Sequence, residues 1–211
     1  IAAAQEKQAP VILQIYPRLI KEEAGYYLAP VVLAAAAADE MVIENIIPQH
    51  LDALLMKLDE IGIEMEVEVD RVRVHGMRGS LKGTAIKTKP YPGFATDIQQ
   101  PLTTLLTQAQ GQSIITETIY PERFKHCAEL NKMGANIDVM VPSCFVNGPS
   151  RLSGTEVTAT DLRCGAALVV AGLIADGITE IHDIYHIDRG YENLDGKLSS
   201  LGANIWRETI D

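Results

Sequence analysis

Three segments of the chain share one order of apolar and polar positions, at residues 46–65, 119–137 and 184–205. Each segment predicts a short turn, an amphipathic helix that ends at a glycine, and then a strand. The glycines lie 72 and 68 residues apart and are Gly62, Gly134 and Gly202. We expect each glycine to end its helix in a left-handed conformation, which is least strained for a residue without Cβ. The spacing predicts an internal repeat.

The same order extends upstream of each turn. Short apolar strands are predicted at residues 41–44, 113–117 and 178–181. Each strand follows an Ala/Leu-rich helix, at residues 28–38, 102–109 and 162–175. Further strands are predicted at residues 67–74 and 136–141. Because the Ala-rich helices carry few charges, we expect them to be buried, whereas the amphipathic helices, such as residues 50–61, should lie outside.

This pattern predicts an α/β (α+β) fold of three repeated βαβαββ-type units with buried helices and outer sheets. The units cover about residues 16–75, 84–141 and 155–211. We expect residues 16–211 to form one domain, since no linker separates the units, and residues 76–83 to be a loop between strands. Residues 1–15 are left as an uncertain lead-in, because the Ala/Gln-rich start fits no unit.

The charge and hydropathy of the chain exclude several classes of protein. Its 211 residues carry 18 Lys plus Arg against 28 Asp plus Glu, a net charge of −10, which argues against broad nucleic-acid binding. No apolar run reaches the ~18 residues of a transmembrane helix, and the start lacks the pattern of a signal peptide. Three cysteines without a CxxC pair suit a reducing compartment. We therefore expect a soluble, cytoplasmic protein without nucleic-acid or membrane partners.

One candidate site residue is a carboxylate that follows a stiff turn. Residues 90–97 read PYPGFATD, and Thr96 and Asp97 stand where a helix toward residues 99–109 begins. The simpler interpretation is that Thr96 or Asp97 caps this helix. The functional interpretation is that Asp97 is held at the loop tip as a general base for a hydroxyl group.

Arginines recur where helices are predicted to begin. Arg123, Arg163 and Arg189 occupy such positions, where a cation is electrostatically unfavourable. Guanidinium groups beside backbone N–H donors suit a phosphate or carboxylate ligand. The alternative is that each arginine forms an ion pair with a neighbouring carboxylate. For Arg123 the candidate partners are Glu117 and Glu122. Asp161 is a candidate cap for the helix that carries Arg163.

No other residues form a recognisable site. The five histidines lack metal-ligand spacing, and neither HExxH, GxGxxG nor a phosphate-loop motif occurs. Cys127, Cys144 and Cys164 have no paired base in sequence, so each is interpreted as a small core or surface residue. We expect neither a metal nor a cofactor.

Four motifs closely resemble the UDP-N-acetylglucosamine 1-carboxyvinyltransferases, a family of enolpyruvyl transferases. They are PYPGFATD at residues 90–97, ITETI at 115–119, ATDLR at 159–163 and IYHIDRGYE at 184–192. The resemblance runs from about Tyr16 to the C-terminus. It implies an inside-out, barrel-like domain and a cytoplasmic transferase. The reaction it implies moves an enolpyruvyl group from phosphoenolpyruvate to the 3-hydroxyl of UDP-N-acetylglucosamine. This is the first committed step of peptidoglycan synthesis, and so of cell wall biogenesis, cell shape and cell division.

The resemblance also implies a role for each matching residue. Asp97 looks like the carboxylate that binds the sugar 3-hydroxyl and serves as its base. Ile119 looks like the residue whose backbone contacts the nucleotide sugar, and Arg189 like a ligand of the phosphoenolpyruvate phosphate. The groups that neutralise substrate charge and support closure of the cleft would be Arg123, Arg163 and Asp161.

The chain departs from this family in its length. The family's chains are about twice as long, and their Lys-Asn pair and mobile loop with a reactive cysteine have no counterpart here. We therefore assign no nucleophile or general acid and expect the chain alone to be inactive or very slow. The expected partners are the two substrates, and either the missing catalytic domain or a second copy of the chain. Two alternatives stay open, a non-catalytic nucleotide-sugar-binding module and a relative of the shikimate-pathway transferase.

Overall fold

A computed structural model of the chain describes residues 11–14, 25–77 and 79–208. The start of the predicted lead-in, residues 1–10, lies outside the described residues. The described helices are Gly25–Ala37 (α1), Asp52–Ile61 (α2), Thr96–Leu106 (α3), Lys125–Lys132 (α4), Leu162–Ile174 (α5), Tyr185–Asp188 (α6) and Leu194–Ser200 (α7). A short 3-10 helix, Pro48–Leu51, leads into α2.

The described strands form three sheets. They are Val11–Gln14 (β1), Glu40–Glu44 (β2), Met65–Val67 (β3), Arg71–His75 (β4), Leu81–Lys82 (β5), Ala85–Lys87 (β6), Ala109–Thr116 (β7), Ile137–Met140 (β8), Ser143–Gly148 (β9), Glu156–Thr158 (β10) and Glu180–His182 (β11). The first sheet has the order β1-β2-β4-β3, and the third pairs β10 with β11. In the second sheet β7 lies between the parallel strands β5 and β6 on one side and the antiparallel strand β9 on the other, with β8 at the edge.

The first two sheets repeat one arrangement of neighbours. In each, a central strand pairs in parallel with a preceding strand and antiparallel with the inner strand of a following hairpin. Ile43 of β2 thereby faces Val72, and Ile115 of β7 faces Cys144. All four of these side chains are buried, because their strands turn one face toward the helices.

The Ala/Leu-rich helices form the centre of the molecule. Helices α1, α3 and α5 contact one another, and every residue of α3 from Ile98 to Leu106 is buried. Small side chains allow this close approach, and Thr104 Oγ1 donates a 3.1 Å hydrogen bond to the backbone carbonyl of Ala167 in α5. The expected burial of these helices is confirmed. None of the described helices is both long and apolar enough to cross a membrane.

The predicted glycine caps are confirmed. Gly62, Gly134 and Gly202 have φ angles of +104°, +99° and +94°, in the left-handed region. Gly62 shows the reason, since its backbone N–H donates to the carbonyls of Leu58 and Asp59 and closes the last turn of α2.

Four local predictions differ from the structure. The single strand expected at residues 67–74 is two strands, β3 and β4, which pair as an antiparallel hairpin around residues 68–70. Residues 76–83 are not wholly a loop, because β5 pairs with β7. Val11–Gln14 pairs with β2, although residues 1–15 were expected to fit no repeated unit. The strand expected after Gly202 is not formed, since residues 203–208 have no strand assignment. In the first two sheets the corresponding strand pairs with the next strand of the chain, and the described residues contain no such strand after Gly202.

Candidate functional site

Three segments that are distant in sequence meet at Asp97. It lies in the first turn of α3, which follows the loop after β6. Arg123 comes from the segment between β7 and α4, and Arg163 from the first turn of α5. Two of the segments are brought together by the packing of α3 against α5 in the core, and the third carries Arg123 to the start of α3.

Both arginines bind the same oxygen of Asp97. Arg123 Nη1 donates to Oδ1 over 3.0 Å, and Arg163 Nε donates to it over 2.5 Å. No described residue donates a hydrogen bond to Oδ2, and the Asp97 side chain is 40% exposed. The carboxylate is therefore held through one oxygen while the other can accept a hydrogen bond from a ligand.

The electrostatics of Arg163 reflect this pairing. Burial is the largest single effect and disfavours its charged form, but the hydrogen bond and negative charge of Asp97, with smaller contributions from Asp161 and Tyr120, together outweigh burial and raise the pKa of Arg163. The guanidinium therefore stays charged beside the carboxylate. The arrangement places two cations and one anion in a partly buried site, a suitable environment for an anionic ligand.

The capping interpretation of Thr96 and Asp97 is wrong. Ala95 is the N-cap residue of α3, and no side chain caps this helix. Thr96 Oγ1 instead donates to Glu117 Oε2 over 2.7 Å, and Asp97 binds the arginines. Both side chains are therefore committed to contacts with other segments.

Arg123 lies in a turn before its helix. Helix α4 begins at Lys125 and has Phe124 as N-cap, so Arg123 does not open the helix as the sequence suggested. Its charge is paired with Asp97, not with Glu117 or Glu122. Its guanidinium carbon lies 4.0 Å from the centroid of the Tyr120 ring, within cation–π distance.

The capping role predicted for Asp161 is confirmed. Asp161 is the N-cap residue of α5, and its Oδ1 accepts hydrogen bonds from the backbone N–H groups of Arg163 at 2.9 Å and Cys164 at 3.1 Å. This cap satisfies two orphan donors and fixes the backbone from which the Arg163 side chain reaches Asp97.

Arg189 does not lie at a helix start, and that prediction is wrong. Helix α6 has only four residues and begins at Tyr185, so Arg189 stands at its C-cap. Its side chain is exposed, and no described residue forms a hydrogen bond or ion pair with it. Helix α6 packs on the first turns of α5 where Ile187 contacts Gly165. Arg189 is thus near the start of α5, although no described contact joins it to Asp97.

Ile119 lies in the turn that follows β7. Its backbone N–H donates to Glu117 Oε1 over 2.9 Å, and no described residue donates to its backbone carbonyl. The carbonyl is therefore available to a ligand.

The sequence reasoning missed the function of Glu117, which it considered only as an ion-pair partner for Arg123. Glu117 is fully buried, and its carboxylate accepts hydrogen bonds from Thr88, Thr96 and two backbone N–H groups. The signal that could have revealed it is a charged residue at the end of an apolar strand, between Thr116 and Thr118. Such a residue needs several donors if the strand is buried.

The cysteines take no part in this site. All three are buried and free, at Cys127, Cys144 and Cys164. A hydrogen bond with Cys144 and burial raise the pKa of the Cys127 thiol, and burial raises the pKa of the Cys164 thiol. A protonated, buried thiol is a poor nucleophile. Among the described residues, no group of three or more His, Cys, Asp or Glu residues could hold a metal ion.

Comparison with known proteins gives one consistent family. Residues 21–198 match the model of the EPSP synthase (3-phosphoshikimate 1-carboxyvinyltransferase) family. The chain is 54% identical over 188 residues to UDP-N-acetylglucosamine 1-carboxyvinyltransferase 2 of Bacillus cereus, which covers 89% of the chain and 43% of the relative. The protein of the same name from Listeria monocytogenes is 53% identical, with the same coverage of both chains. The chain thus spans less than half the length of these relatives.

Solved structures give the same result. The enolpyruvyl transferase NikO from Streptomyces tendae superposes with a TM-score of 0.79 and 28% identity, over 85% of this chain and 42% of that one. The EPSP synthase from Acinetobacter baumannii superposes with a TM-score of 0.60 over 82% of this chain and 40% of that one. At 15% identity, the second match supports the fold alone.

Proposed function

The chain belongs to the EPSP synthase family of enolpyruvyl transferases, and on that premise we propose that it forms the sugar-nucleotide half of a UDP-N-acetylglucosamine enolpyruvyl transferase. The reaction transfers the enolpyruvyl group of phosphoenolpyruvate to the 3-hydroxyl of UDP-N-acetylglucosamine. This reaction is the first committed step of peptidoglycan synthesis and takes place in the cytoplasm. The identity of 54% to a transferase with this name supports the choice of substrate.

The observation that carries the proposal is the one-sided binding of Asp97. Arg123 and Arg163 hold Oδ1 and leave Oδ2 available to the sugar 3-hydroxyl. A carboxylate oxygen in hydrogen-bond reach of a hydroxyl can remove its proton as the hydroxyl oxygen bonds to C2 of phosphoenolpyruvate, while C3 takes up a proton from an acid outside these 211 residues. Loss of a C3 proton and of inorganic phosphate from the resulting tetrahedral intermediate then restores the double bond of the enolpyruvyl group. The two guanidinium groups would then stabilise the negative charge of a phosphate-bearing tetrahedral intermediate.

The other matching residues complete the proposed site. The backbone carbonyl of Ile119 contacts the nucleotide sugar, and Arg189, which has no partner among the described residues, binds the phosphate of phosphoenolpyruvate. Asp161 holds the start of α5 and contributes charge at the cleft. The site uses no metal or cofactor in this proposal, and residues 16–211 form one inside-out domain of three repeated units around helices α1, α3 and α5.

The proposal includes a statement about the chain by itself. Because the chain spans 43% of its relatives' length, we propose that catalysis requires groups outside these 211 residues, supplied by a second domain. The isolated chain should release phosphate from a mixture of both substrates far more slowly than a complete relative. Phosphate release at the rate of a complete enzyme would contradict this part of the proposal.

The direct test is a calorimetric titration of the chain with UDP-N-acetylglucosamine. We expect saturable binding that weakens at least tenfold in Asp97→Ala, a loss of about 1.4 kcal/mol. Asp138→Ala is the matched control, since it removes an exposed carboxylate from β8 and should bind like the parent chain. Absence of binding to the parent chain, or equal binding to Asp97→Ala, would overturn the proposal.

Two other functions are distinguished from the proposal by phosphate release or by the ligand that binds. A non-catalytic nucleotide-sugar-binding module would bind UDP-N-acetylglucosamine and would not support phosphate release even when a second domain from a relative is added. A relative of the shikimate-pathway transferase would instead bind shikimate 3-phosphate. The 15% identity to an EPSP synthase, against 54% to a UDP-N-acetylglucosamine transferase, disfavours the latter.

A further inference from the structure

We propose that Glu117 is a positioning residue, which fixes the Asp97 loop (residues 88–97) against the 118–120 turn so that both meet one ligand. The sequence comparison assigns Glu117 no role, and its side chain lies below the surface on which Asp97 and Ile119 are accessible. The inference rests on the proposed function for the identity of that ligand, UDP-N-acetylglucosamine.

The first argument is the number of donors that Glu117 receives. Oε1 accepts hydrogen bonds from Thr88 Oγ1 at 2.7 Å and from the backbone N–H groups of Ile119 at 2.9 Å and Tyr120 at 3.1 Å. Oε2 accepts one from Thr96 Oγ1 at 2.7 Å. A buried carboxylate is costly unless its lone pairs are satisfied, and here donors come from both the Asp97 loop and the turn.

The second argument is the continuation of these bonds toward Asp97. Thr96 Oγ1, which donates to Glu117, also accepts a 2.9 Å hydrogen bond from Arg123 Nη1. The same Nη1 atom donates to Asp97 Oδ1. Thr96 therefore connects the buried carboxylate of Glu117 to the Asp97–Arg123 pair. Its hydroxyl donates to Glu117 and accepts from Arg123, and these two bonds fix its orientation.

The third argument is the position of the turn relative to the loop. Thr118 N donates to Thr88 Oγ1 over 2.8 Å, and Thr118 Oγ1 donates to the Thr88 carbonyl over 2.6 Å. Thr88 in turn donates to Glu117. The Thr88–Thr118 bonds hold the start of the loop against the turn, and Glu117 joins the backbone N–H groups of the turn to Thr96, the residue before Asp97.

The binding test uses Glu117→Gln in the 211-residue chain. The amide nitrogen cannot accept the Thr96 hydroxyl proton, so the bond as it stands is lost. The change also removes the negative charge that strengthens the bonds from the other donors, while the side chain keeps its size. We expect the affinity for UDP-N-acetylglucosamine to fall about tenfold, the effect of one disrupted buried hydrogen bond. Glu122→Gln is the matched control, because it removes the same charge at an exposed position and should change the affinity by less than twofold.

Variants of Thr96 separate positioning from a general loss of stability. Thr96→Ser keeps the hydroxyl and should retain the affinity, whereas Thr96→Val should lower it as Glu117→Gln does. Because both changes break the Thr96–Glu117 bond, the double variant Glu117→Gln/Thr96→Val should lose less affinity than the sum of the two single losses. Additive losses, or an unchanged affinity in Glu117→Gln, would overturn the inference.

A measurement without ligand distinguishes this inference from the proposed function. In Glu117→Ala, amide hydrogen exchange should accelerate at least tenfold at Ile119 and Tyr120, with no change in α7. Thr88→Val, which removes a donor to Glu117 and the acceptor of Thr118 N–H, should accelerate exchange at Thr118 and serves if Glu117→Ala does not fold. If the parent chain binds no UDP-N-acetylglucosamine, the proposed function fails, and the positioning role of Glu117 is then tested by amide hydrogen exchange alone. Unchanged exchange rates in the variants would overturn the positioning role.

Discussion

Arg163 Nε lies 2.5 Å from Asp97 Oδ1, although the two residues are 66 positions apart in the chain. Each residue stands in the first turn of a central helix, Asp97 in α3 and Arg163 in α5. The packing of these helices therefore sets the position of the carboxylate. A substitution in the first turn of either helix should therefore alter the position of the side chain on the other.

Removal of the Asp97 charge should leave two arginines without a counter-ion. We expect Asp97→Asn to lower the free energy of unfolding by about 1 kcal/mol, a modest loss because the Asp97 side chain is 40% exposed. This corresponds to a decrease in Tm of roughly 2–4 °C. The decrease should shrink in high salt, since ions screen the repulsion between Arg123 and Arg163. Thermal melts at low and high salt measure both effects.

The control for this prediction is an ion pair on the surface. Asp176 pairs with Arg151 over 2.6 Å, and these side chains are 62% and 86% exposed. Asp176→Asn should change the free energy of unfolding by less than about 0.5 kcal/mol, with little dependence on salt. Equal losses in Asp97→Asn and Asp176→Asn would show that the Asp97 cluster is no more than a surface ion pair.

Asp161 should separate helix capping from ligand binding. Asp161→Ala removes both accepted hydrogen bonds at the start of α5 and should destabilise the chain by about 1 kcal/mol. Asp161→Asn keeps a capping oxygen and should retain nearly all of that stability. If the charge of Asp161 also serves the ligand, Asp161→Asn should still weaken binding of UDP-N-acetylglucosamine several-fold. Urea unfolding of both variants measures the loss of stability, and calorimetry measures the affinity for UDP-N-acetylglucosamine. An unchanged affinity in Asp161→Asn would show that Asp161 acts only as a helix cap.

The parts of the fold that were predictable from sequence depend on local signals. Gly62, Gly134 and Gly202 mark helix ends because the left-handed conformation is a property of a single residue. The prediction of a strand after Gly202 was wrong because a strand is not a local property. A strand exists only with a partner, and pairing depends on residues distant in sequence. The same limit explains why β5 was taken for a loop.

The site was predictable one residue at a time but not as an arrangement. Arg123 and Arg163 stood out because a cation near a helix start is unusual, and Asp97 stood out because it follows a stiff turn. That both arginines share one oxygen of Asp97 depends on helix packing, which no local pattern shows. Arg189 was misplaced because α6 is only four residues long. Glu117 was missed because burial of a charge becomes visible only when its donors, up to 29 positions away, are known.

The contact between α5 and α6 gives a prediction about packing. A Cβ at Gly165 would lie 2.4 Å from Ile187 Cγ1 and 3.0 Å from its Cδ1. Gly165→Ala should therefore destabilise the chain by about 1–3 kcal/mol, even though alanine favours helix. In Gly165→Ala/Ile187→Ala the new methyl occupies vacated space, so the double variant should lose at least about 1 kcal/mol less than the sum of the single variants. Urea unfolding of the three variants measures this coupling, and strict additivity would contradict the contact.

His126 is a buried base that should make stability depend on pH. Its side chain is fully buried on α4, its ring stacks near Phe124, and Nδ1 has no hydrogen-bond partner. Burial lowers the pKa of His126 to about 3, and the negative charge of Asp161 opposes this only in part. The folded chain therefore keeps His126 neutral over a pH range in which an unfolded chain would protonate it.

We predict that this histidine destabilises the chain as the pH falls from 7 to 5. Unfolded histidine has a pKa near 6.5, so below that pH the unfolded state binds a proton that the folded state binds only near pH 3. The contribution of His126 is thus fully present above about pH 6.5 and is lost progressively below it, amounting to about 2 kcal/mol between pH 7 and pH 5. Urea unfolding at both values should show this loss in the parent chain and in His50→Gln, whose histidine is exposed. His126→Gln should lose about 2 kcal/mol less between the two pH values, and an equal loss would assign the pH dependence to other groups.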